Sequence, residues 1–241
     1  MNNGFYLEVI ACNVADAVAA EQGGADRIEL ISNYEVGGLT PPFELVREVV
    51  AAVKIPVRVM LRHKESFYLT DEAERAALCN TALEMSRLPI DGLVLGFLKW
   101  ADSTSRPEID LPMVEQVLAL VPDLGVTFHR ASEELTDTGL AIEILRPYPA
   151  IDTLLTSGGP GPWSDKVDLL SSWVIRAAPD KTILLGGGVD EEAIRLMRRV
   201  SPLQAFHLGQ AVRADRRIDG PVIASEVARL AELIVQGDLP R

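Results

Sequence analysis

Ionisable side chains stand inside or at the tips of short apolar runs, where a buried strand has little structural use for them. One apolar run ends in His129 and Arg130 with no spacer, and two earlier runs hold Glu8 and Glu29. Histidine titrates near neutral pH, and a carboxylate can accept or return a proton. These residue types predict acid–base chemistry on a small polar substrate, provided that the fold brings them together.

Side-chain alternation along a strand gives these residues a common direction. Arg27 then shares a face with Glu29, and Arg58 shares a face with Arg62. An unpaired charge that faces a helix layer is costly, whereas in a barrel lumen opposite charges can pair and reach water at the mouth. The predicted inward set is Glu8, Arg27, Glu29, Arg58, Arg62, Thr127, His129 and His207.

Two interpretations of this inward set remain open. Arg58, deep in its strand, fits a buried ion-pair layer that fills the barrel, and Glu8 and Glu29 fit either such a layer or a site. Strand-end residues favour function. The predicted catalytic residues are His129, Glu8, Glu29 and Arg62, with His129 as the main general acid–base because a carboxylate among arginines stays ionised.

Anion binding is predicted from arginines and glycines. Arginine holds carboxylates and phosphates with paired N–H donors, and glycine lets backbone amides approach an anion. The glycine loops follow the last two apolar runs, where barrels commonly bind phosphate, although plain tight turns remain the alternative. The predicted ligand-binding residues are Arg27, Arg130, Ser157, Gly187, Gly188, His207 and Gly209.

The elements that must position these residues alternate between short apolar runs and helical patterns. Asn13, Asp71 and Asp190 are suited to cap helices at 14–22, 72–87 and 191–200. Further helices are predicted from Pro41–Pro42 to about 53, over 112–120 and over 221–236. Eight strands are predicted at residues 6–11, 27–31, 57–61, 92–96, 125–128, 153–156, 182–186 and 205–208.

Eight strands with a helix each predict the α/β class and a single (β/α)8 TIM barrel over residues 1–241. An open doubly wound sheet is the alternative. It usually carries a glycine-rich phosphate loop after the first strand, whereas here that strand is followed by Ala11, Cys12 and Asn13.

The composition of the chain limits the classes of molecule that it is expected to bind and the compartment in which it is expected to work. The chain has 241 residues and a formal net charge of −12, and this charge argues against nucleic acid. The two cysteines, Cys12 and Cys79, match no metal or disulfide pattern, which is typical of a reducing cytosol. No signal peptide or membrane-length apolar run is present, so a soluble cytoplasmic protein is expected.

The chain resembles the CutC family over essentially its whole length. The resemblance is carried by LEV at 7–9, GGADRIEL at 23–30, GGLTP at 37–41, VTFHRA at 126–131, LTSGG at 155–159 and GGGV at 186–189. It implies a TIM barrel, a cytoplasmic homodimer and a role in copper homeostasis. The positions shared with the family include Glu8, Arg27, Glu29, Arg62, His129, Arg130 and Ser157.

The chain departs from the family where copper would bind. Family members proposed to bind copper(I) often carry cysteines at the places of Ile10 and Ile31, and isoleucine cannot ligate a soft metal. Cys12 lies two residues beyond Ile10 on the same face. Copper is thus implied by the family name alone, and the metal is unknown.

Two functional hypotheses follow. The first is an enzyme or enzyme-like pocket for a small anionic metabolite, and no lysine stands where a Schiff base would need it. A metal-activated variant of it would use Glu8, Glu29 and His129 as ligands, against the repulsion of the nearby arginines. The second is a direct copper(I)-binding protein.

Overall fold

A ring of parallel strands closes around a lumen. The computed structural model describes residues 4–101 and 106–236. Within these ranges the strands are β1 Tyr6–Ala11, β2 Arg27–Leu30, β3 Val57–Met60, β4 Gly92–Leu95, β5 Leu98–Trp100, β6 Pro107–Ile109, β7 Gly125–Phe128, β8 Ile151–Thr156, β9 Thr182–Leu185 and β10 Ala205–Leu208. The barrel order is β1-β10-β9-β8-β7-β4-β3-β2, so the predicted (β/α)8 barrel is confirmed.

Helices surround the ring, with one α-helix after each of the eight barrel strands of the described residues. They are α1 Val14–Gln22, α2 Phe43–Ala52, α3 Glu72–Met85, α4 Leu111–Leu120, α5 Leu140–Leu145, α6 Trp163–Ala177, α7 Glu191–Val200 and α8 Ala224–Gln236. The caps Asn13, Asp71 and Asp190 are confirmed, because each side chain accepts an N–H of the first helical turn. Helices α5 and α6 were not predicted individually.

Side chains alternate along each barrel strand between an apolar outer layer and a polar lumen. Outward residues such as Val9, Ile28 and Val59 are fully buried against the helices. The predicted inward set is buried as well, with Glu8 and Thr127 at 0 % exposure. Since both faces of each barrel strand are covered, the charged residues can only be accommodated by pairing inside the lumen.

The N-terminal half of the lumen holds a saturated ion cluster around Arg58. Its guanidinium donates to Asp91 at 2.8 Å and to both oxygens of Asp152 at 2.7 and 2.6 Å. Thr127 and Thr153 accept further bonds from it at 2.9 and 3.3 Å. Arg58 is therefore ion-paired as that interpretation expected, but the layer is not fully buried, because the side chains of Asp91 and Asp152 are 36% and 44% exposed.

One excursion from the barrel was not predicted. Strands β5 and β6 pair in an antiparallel way between β4 and α4, on the mouth side of the ring. Their aromatic face carries Trp100, which stacks on Tyr68 with ring centroids 4.6 Å apart. Three-residue strands give too short a pattern to be recognised from alternation.

Candidate active site

A cavity of about 640 Å³ opens at the C-terminal mouth of the barrel, where the strand-end residues converge. It joins most of the predicted site residues. Those in its wall are Glu29, Arg62, His129, Arg130, Gly187, Gly188, His207 and Gly209. Three predicted residues do not line the cavity, namely Glu8, Arg27 and Ser157. They are buried, and they can influence the cavity only through the residues that line it.

Four side chains from neighbouring strands form a chain of charges along one side of the lumen. The Arg27 Nε donates to Glu8 Oε2 at 2.5 Å, and Glu8 Oε1 lies 2.7 Å from His207 Nδ1. The other ring nitrogen of His207 lies 3.6 Å from Glu29 Oε2. Strands β1, β2 and β10 are neighbours, and their register sets Glu8 beside both Arg27 and His207. Both Glu8 oxygens are thus used before any ligand binds.

These contacts push the two glutamates in opposite directions. Burial acts to raise the pKa of Glu8, but Arg27 and His207 outweigh burial and hold its pKa at about 2. Glu29 has weaker compensation, so burial raises its pKa to about 7, with a smaller contribution from the Glu8 charge. Burial lowers the pKa of His207, but Glu29 and Glu8 outweigh it and the net shift is upward. Glu29 is therefore the carboxyl that can exchange a proton near neutral pH.

His129 is held as a neutral hydrogen-bond donor. Its Nδ1 accepts the Ala131 N–H at 3.1 Å, which assigns the ring proton to Nε2, and this Nε2 is buried without a partner. Burial lowers its pKa to about 3, and the charges of Arg62 and Arg130 add to this effect. The expectation that His129 titrates near neutrality was wrong, because it ignored the cost of burying an imidazolium beside arginines.

Space for the His129 ring is made by a glycine. A Cβ added to Gly96, just beyond β4, would lie 2.6 Å from ring atoms of His129. Phe67 covers another side of the ring, with centroids 5.0 Å apart. The ring is thereby fixed with one edge toward the cavity.

Arg62 carries a charge that no carboxylate of the described residues pairs with directly. Its Nη1 donates to the carbonyls of Val36 and Gly38 at 3.3 and 3.1 Å, and Nη2 donates to the carbonyl of Glu65. The guanidinium lies 4.6 Å from the centroid of the Phe67 ring. Its Nε is buried and has no partner. Arg62 therefore lines the cavity with a buried, unused N–H and without a carboxylate in direct contact.

Arg130 differs from Arg62 because it is already paired. Its Nε donates to Glu133 Oε2 at 2.9 Å. The second oxygen of Glu133 accepts the Ser157 N–H at 2.5 Å and the Thr156 hydroxyl at 3.0 Å. Ser157 thus supports the loop through its backbone, and its carbonyl also accepts a bond from Lys166 at 3.1 Å.

The two glycine loops follow the neighbouring strands β9 and β10 and shape adjacent parts of the rim. Gly187 and Gly188 have φ of +77° and +90°, which favour glycine, and they lead into α7. At Gly209, after β10, the Tyr34 hydroxyl occupies the place that a Cβ would need. Both loops line the cavity as predicted.

Some wall residues were missed by reasoning from strand ends. Tyr34, Phe67 and Arg216 line the cavity but lie in loops or short 3-10 turns beyond β2, β3 and β10. The signal available for Phe67 and Tyr34 was their aromatic type near charged strand ends. Nothing in the local sequence indicates which way such loops fold.

The copper(I) ligands expected from the resemblance have no counterpart here. Ile10 and Ile31 pack with Met60 and Val94 in an apolar cluster inside the lumen. Cys12 packs against this cluster, and its Sγ accepts a bond from Arg213 at 3.6 Å. Burial raises the pKa of the Cys12 thiol to about 11, so it stays protonated. This donor set does not fit copper(I), which prefers several thiolate or thioether ligands.

A harder cation has a different candidate donor set from the one expected. Glu8, Glu29 and His207 offer ligand atoms within 4.8 Å of one another, whereas His129 does not belong to this group. The expected ligands were Glu8, Glu29 and His129. The choice of His129 was wrong, because His207 is the histidine that lies near the two glutamates. Because Arg27 and His207 occupy both Glu8 oxygens, only Glu29 and one nitrogen of His207 remain.

Comparisons with known proteins agree on one family. The CutC family model matches residues 5–212. A CutC family protein of Xylella fastidiosa is 32% identical over 96% of this chain and 89% of its own length. The human copper homeostasis protein cutC homolog is 32% identical over 85% of this chain and 73% of its own length.

A solved structure supports the same relationship. The crystal structure of a protein described as copper homeostasis protein CutC from Streptococcus agalactiae matches with a TM-score of 0.74 and 25% identity. The match covers 84% of this chain and 97% of that one.

Within the described residues, no helix is both long and apolar enough to span a membrane.

Proposed function

This chain belongs to the CutC family, and from that premise we propose that its cavity binds a small anionic metabolite and transforms it by acid–base chemistry. The human relative is named for copper homeostasis, and the link to copper is kept at that level. The ligand class is a carboxylate or phosphate compound small enough for a cavity of about 640 Å³.

The observation that carries this proposal is a pair of unused N–H donors in one wall. Arg62 Nε and His129 Nε2 are both buried without partners, on side chains that both contact Phe67. A buried donor left unsatisfied costs about 1–3 kcal/mol, so such groups persist where a ligand satisfies them. The charge of Arg62 makes an anionic oxygen the matching ligand atom.

Glu29 offers a hydrogen-bond acceptor to the cavity where Arg62 and His129 offer donors. Its Oε1 is a buried oxygen without a partner in the same cavity wall. With its pKa raised to about 7, Glu29 can take a proton from a ligand and return it. The cavity therefore has a donor pole of Arg62 and His129 and an acceptor pole at Glu29.

A proton-transfer reaction uses both poles. Glu29 takes a proton from a carbon beside a carbonyl. The electron pair of that C–H bond forms a C=C bond, and the π electron pair of the carbonyl moves to its oxygen. His129 Nε2–H and Arg62 Nε–H stabilise the resulting oxyanion, and Glu29 then returns the proton to the same or a neighbouring atom. A neutral imidazole suits this electrophilic role. No lysine of the described residues lines the cavity for a Schiff base.

The rim provides a second place for negative charge. Gly187 and Gly188 precede the N-terminus of α7, and Arg130 and Arg216 line the same opening. Helix N-termini and glycine-rich loops at this end of a barrel favour phosphate. A phosphorylated metabolite would place its phosphate here and its carbonyl or carboxylate at the donor pole.

Calorimetric titration with inorganic phosphate and a panel of small carboxylates and sugar phosphates tests the proposal. Arg62→Gln and His129→Gln should each weaken binding about tenfold or more, because each removes one donor, worth roughly 1.5 kcal/mol. Arg47→Gln, at an exposed arginine, is the matched control and should leave binding unchanged. Binding that survives both mouth variants would place the ligand elsewhere.

Direct copper(I) binding is the second candidate, favoured by the names of the relatives. It is tested by competition of the reduced protein against a chromogenic copper(I) chelator, with Cys12→Ser alongside. Tight stoichiometric binding that disappears in the variant would establish copper as a ligand. Binding no stronger than a bare peptide background would confine copper to the family name.

We further propose a cytoplasmic homodimer, on the family resemblance and on the free state of Cys12 and Cys79. Light scattering after size exclusion measures the assembly. A monomeric mass at micromolar concentration would contradict the dimer.

A further inference from the structure

A second depression lies beside the mouth cavity, between the start of α6 and helix α7. Its walls include Pro162 and Trp163 at the start of α6, and Leu196 and Arg199 on α7. Its volume is about 640 Å³, the same as that of the mouth cavity. We name this depression the side groove. Apart from Arg216, none of its residues takes part in the proposed function.

Arg216 joins the side groove to the mouth cavity, because it lines both, as does Asp190. These two residues differ in what they offer a ligand. The Asp190 carboxylate caps α7 by accepting the Ala193 N–H at 2.9 Å. The Arg216 side chain is exposed and forms no ion pair with the described residues. A guanidinium with unused donors therefore stands between the two spaces.

The backbone holds Arg216 at this junction in an uncommon conformation. Both Asp215 and Arg216 have a φ of +53°, in the left-handed region that favours glycine. The base of their turn is fixed by Arg213, which is 4% exposed and donates to the Gly220 carbonyl at 2.7 Å and to Asp16 at 3.0 Å. Residues in such sparsely populated conformations persist where the surroundings hold them, and they cluster at ligand sites.

Trp163 gives the side groove an aromatic wall. Lys166, one helical turn further along α6, places its Nζ 4.4 Å from the centroid of the Trp163 ring. Lys166 is itself buried and donates to the Ser157 carbonyl at 3.1 Å, so it holds one face of the indole in place. The indole still lines the groove, beside the apolar surface of Leu196. This wall suits a flat ring, because aromatic rings stack favourably on an indole.

The polar groups of the side groove suit a mixed ligand rather than a bare anion. Arg199 is exposed and has no ion-pair partner among the described residues, whereas Arg195 donates to Glu191 at 2.7 and 3.0 Å. The exposed Glu192 lines the same groove. A carboxylate accepts hydrogen bonds from hydroxyl and amino groups, and a guanidinium donates to ring nitrogens, carbonyls and phosphates.

A phosphate bound at the rim would lie at the entrance of the side groove. Gly187 and Gly188 line the mouth cavity, and Asp190, two residues further along the chain, lines both spaces. Arg216 borders the rim and the groove alike. Since a phosphate or diphosphate can form two ester links, it can join a group in the mouth cavity to another group in the side groove.

We propose that the side groove binds a nucleoside that is joined through phosphate to the group in the mouth cavity. The base stacks on Trp163, Glu192 accepts hydrogen bonds from the sugar hydroxyls, and Arg216 contacts the phosphate. The ligand class is therefore a nucleotide-linked metabolite. This inference rests on the proposed function for the end of the ligand in the mouth cavity, whereas the side groove binds the nucleotide end by itself.

AMP and ribose 5-phosphate test the proposal, because the two probes differ in the base. Calorimetry on the whole chain should show that AMP binds about tenfold or more tightly than ribose 5-phosphate, which is the gain expected from stacking one base on an aromatic side chain. AMP should also quench the tryptophan fluorescence, whereas ribose 5-phosphate should not.

Variants assign the quenching and the gain in affinity. The chain has three tryptophans, Trp100, Trp163 and Trp173. Trp163→Leu should abolish the quenching and lower the AMP affinity to that of ribose 5-phosphate, which it should leave unchanged. Trp100→Leu is the matched control, at a tryptophan that is 56% exposed and lines neither space, and it should change none of these values. Arg216→Gln should weaken both probes about tenfold, because both carry the phosphate.

The comparison of the two probes on the wild type can overturn the proposal even if a variant fails to fold. Equal affinities for AMP and ribose 5-phosphate would mean that the protein has no site for the base. A gain in affinity that survives Trp163→Leu, or quenching that disappears only in Trp100→Leu, would place the base outside the side groove and overturn the proposal as well.

Failure of the proposed function gives a different pattern. If the groove is right but the mouth cavity binds no anion, AMP binding depends on Trp163 as described, while small carboxylates do not bind and Arg62→Gln changes no affinity. If the groove is wrong but the function is right, carboxylates and phosphates bind with a dependence on Arg62 and His129, and the base of AMP adds nothing.

Discussion

Arg58 lies in β3 and Arg62 lies two residues beyond the end of that strand, yet their surroundings differ completely. All three nitrogens of the Arg58 guanidinium have side-chain partners, including the carboxylates of Asp91 and Asp152. Arg62 has only carbonyl partners, and its Nε has none. At the floor of the lumen the arginine is fully paired. At the mouth, a hydrogen-bond donor and a positive charge have no side-chain partner.

The difference shows what distinguishes a structural charge from a functional one in a barrel. Burial is similar at both sites, with Arg58 at 3% and Arg62 at 8% exposure, so burial alone does not separate them. The two arginines differ in how many of their N–H donors have hydrogen-bond partners. This matters because an unused buried donor lowers stability unless something binds to it. If this distinction holds, residues of the floor govern stability and residues of the mouth govern binding.

The largest effect is expected for Arg58→Met. The change keeps side-chain volume but leaves Asp91 and Asp152 facing each other without a cation. Removing one partner of a fully buried pair costs about 3–5 kcal/mol, and a smaller loss of about 2–4 kcal/mol is expected here because both aspartates reach solvent. Urea unfolding at pH 7 measures it. A loss under about 1 kcal/mol would mean that the floor cluster is not structural.

The second prediction concerns pH, and the two regions should respond in opposite directions. In the floor, burial acts to raise the pKa of Asp152, but Arg58 outweighs burial and lowers it, so that contribution is lost in acid. At the mouth, the pKa of Glu29 rises from 4.5 to about 7, so the folded state binds the proton more tightly than the unfolded chain. Its contribution is present below pH 4.5 and is lost as pH rises through about 7.

Glu29→Gln should therefore remove a fall in stability between pH 5 and pH 8. A shift of this size corresponds to up to about 3 kcal/mol, of which His207 shares a part because the two titrate together. Unfolding free energies of the wild type, Glu29→Gln and, as a control at an exposed carboxylate, Glu35→Gln at both pH values give the comparison. Parallel curves for the wild type and Glu29→Gln would show that Glu29 titrates as an ordinary glutamate.

The third prediction is that His129→Ala leaves the fold stable. Its ring makes one polar contact, with the Ala131 N–H, and its Nε2 is unused, so a loss below about 2 kcal/mol is expected together with loss of anion binding. Thermal unfolding and calorimetry on the same sample measure both. A larger loss of stability with binding retained would move His129 to the structural side of the comparison.

The fold could be predicted from the sequence because barrel strands leave a strong pattern. Strand β2, for example, places Arg27 and Glu29 inward and Ile28 outward, and one such strand after another implies a closed lumen. In the cavity wall, the same parity accounts for Glu29, Arg62, His129 and His207. The predicted limits of β8 and α3 differ by two residues from the observed ones, as fraying ends commonly do.

The electrostatic roles could not be predicted in the same way, because they depend on partners across the lumen. Glu8 and Glu29 look alike in sequence, but only Glu8 meets both Arg27 and His207 at hydrogen-bond distance. The neutral state of His129 depends on the Ala131 amide and on its depth of burial. Phe67 and Tyr34 enter from loops whose paths no local pattern specifies.

The smallest effect on stability is expected for Arg62→Lys, and comparing it with Arg58→Lys is the sharpest test of the difference between the two positions. Lysine keeps the charge but lacks the Nε donor and the planar fork. At Arg62 a lysine can still reach a loop carbonyl, so a stability loss under about 1 kcal/mol is expected, while anion affinity falls about tenfold with the Nε contact. At Arg58 the same change breaks several bonds of the cluster and should lower stability more, with no effect on affinity. If the Arg62 and Arg58 variants instead lost stability and affinity in equal proportion, floor and mouth would form one structural unit, and the unused donors would not mark a binding site.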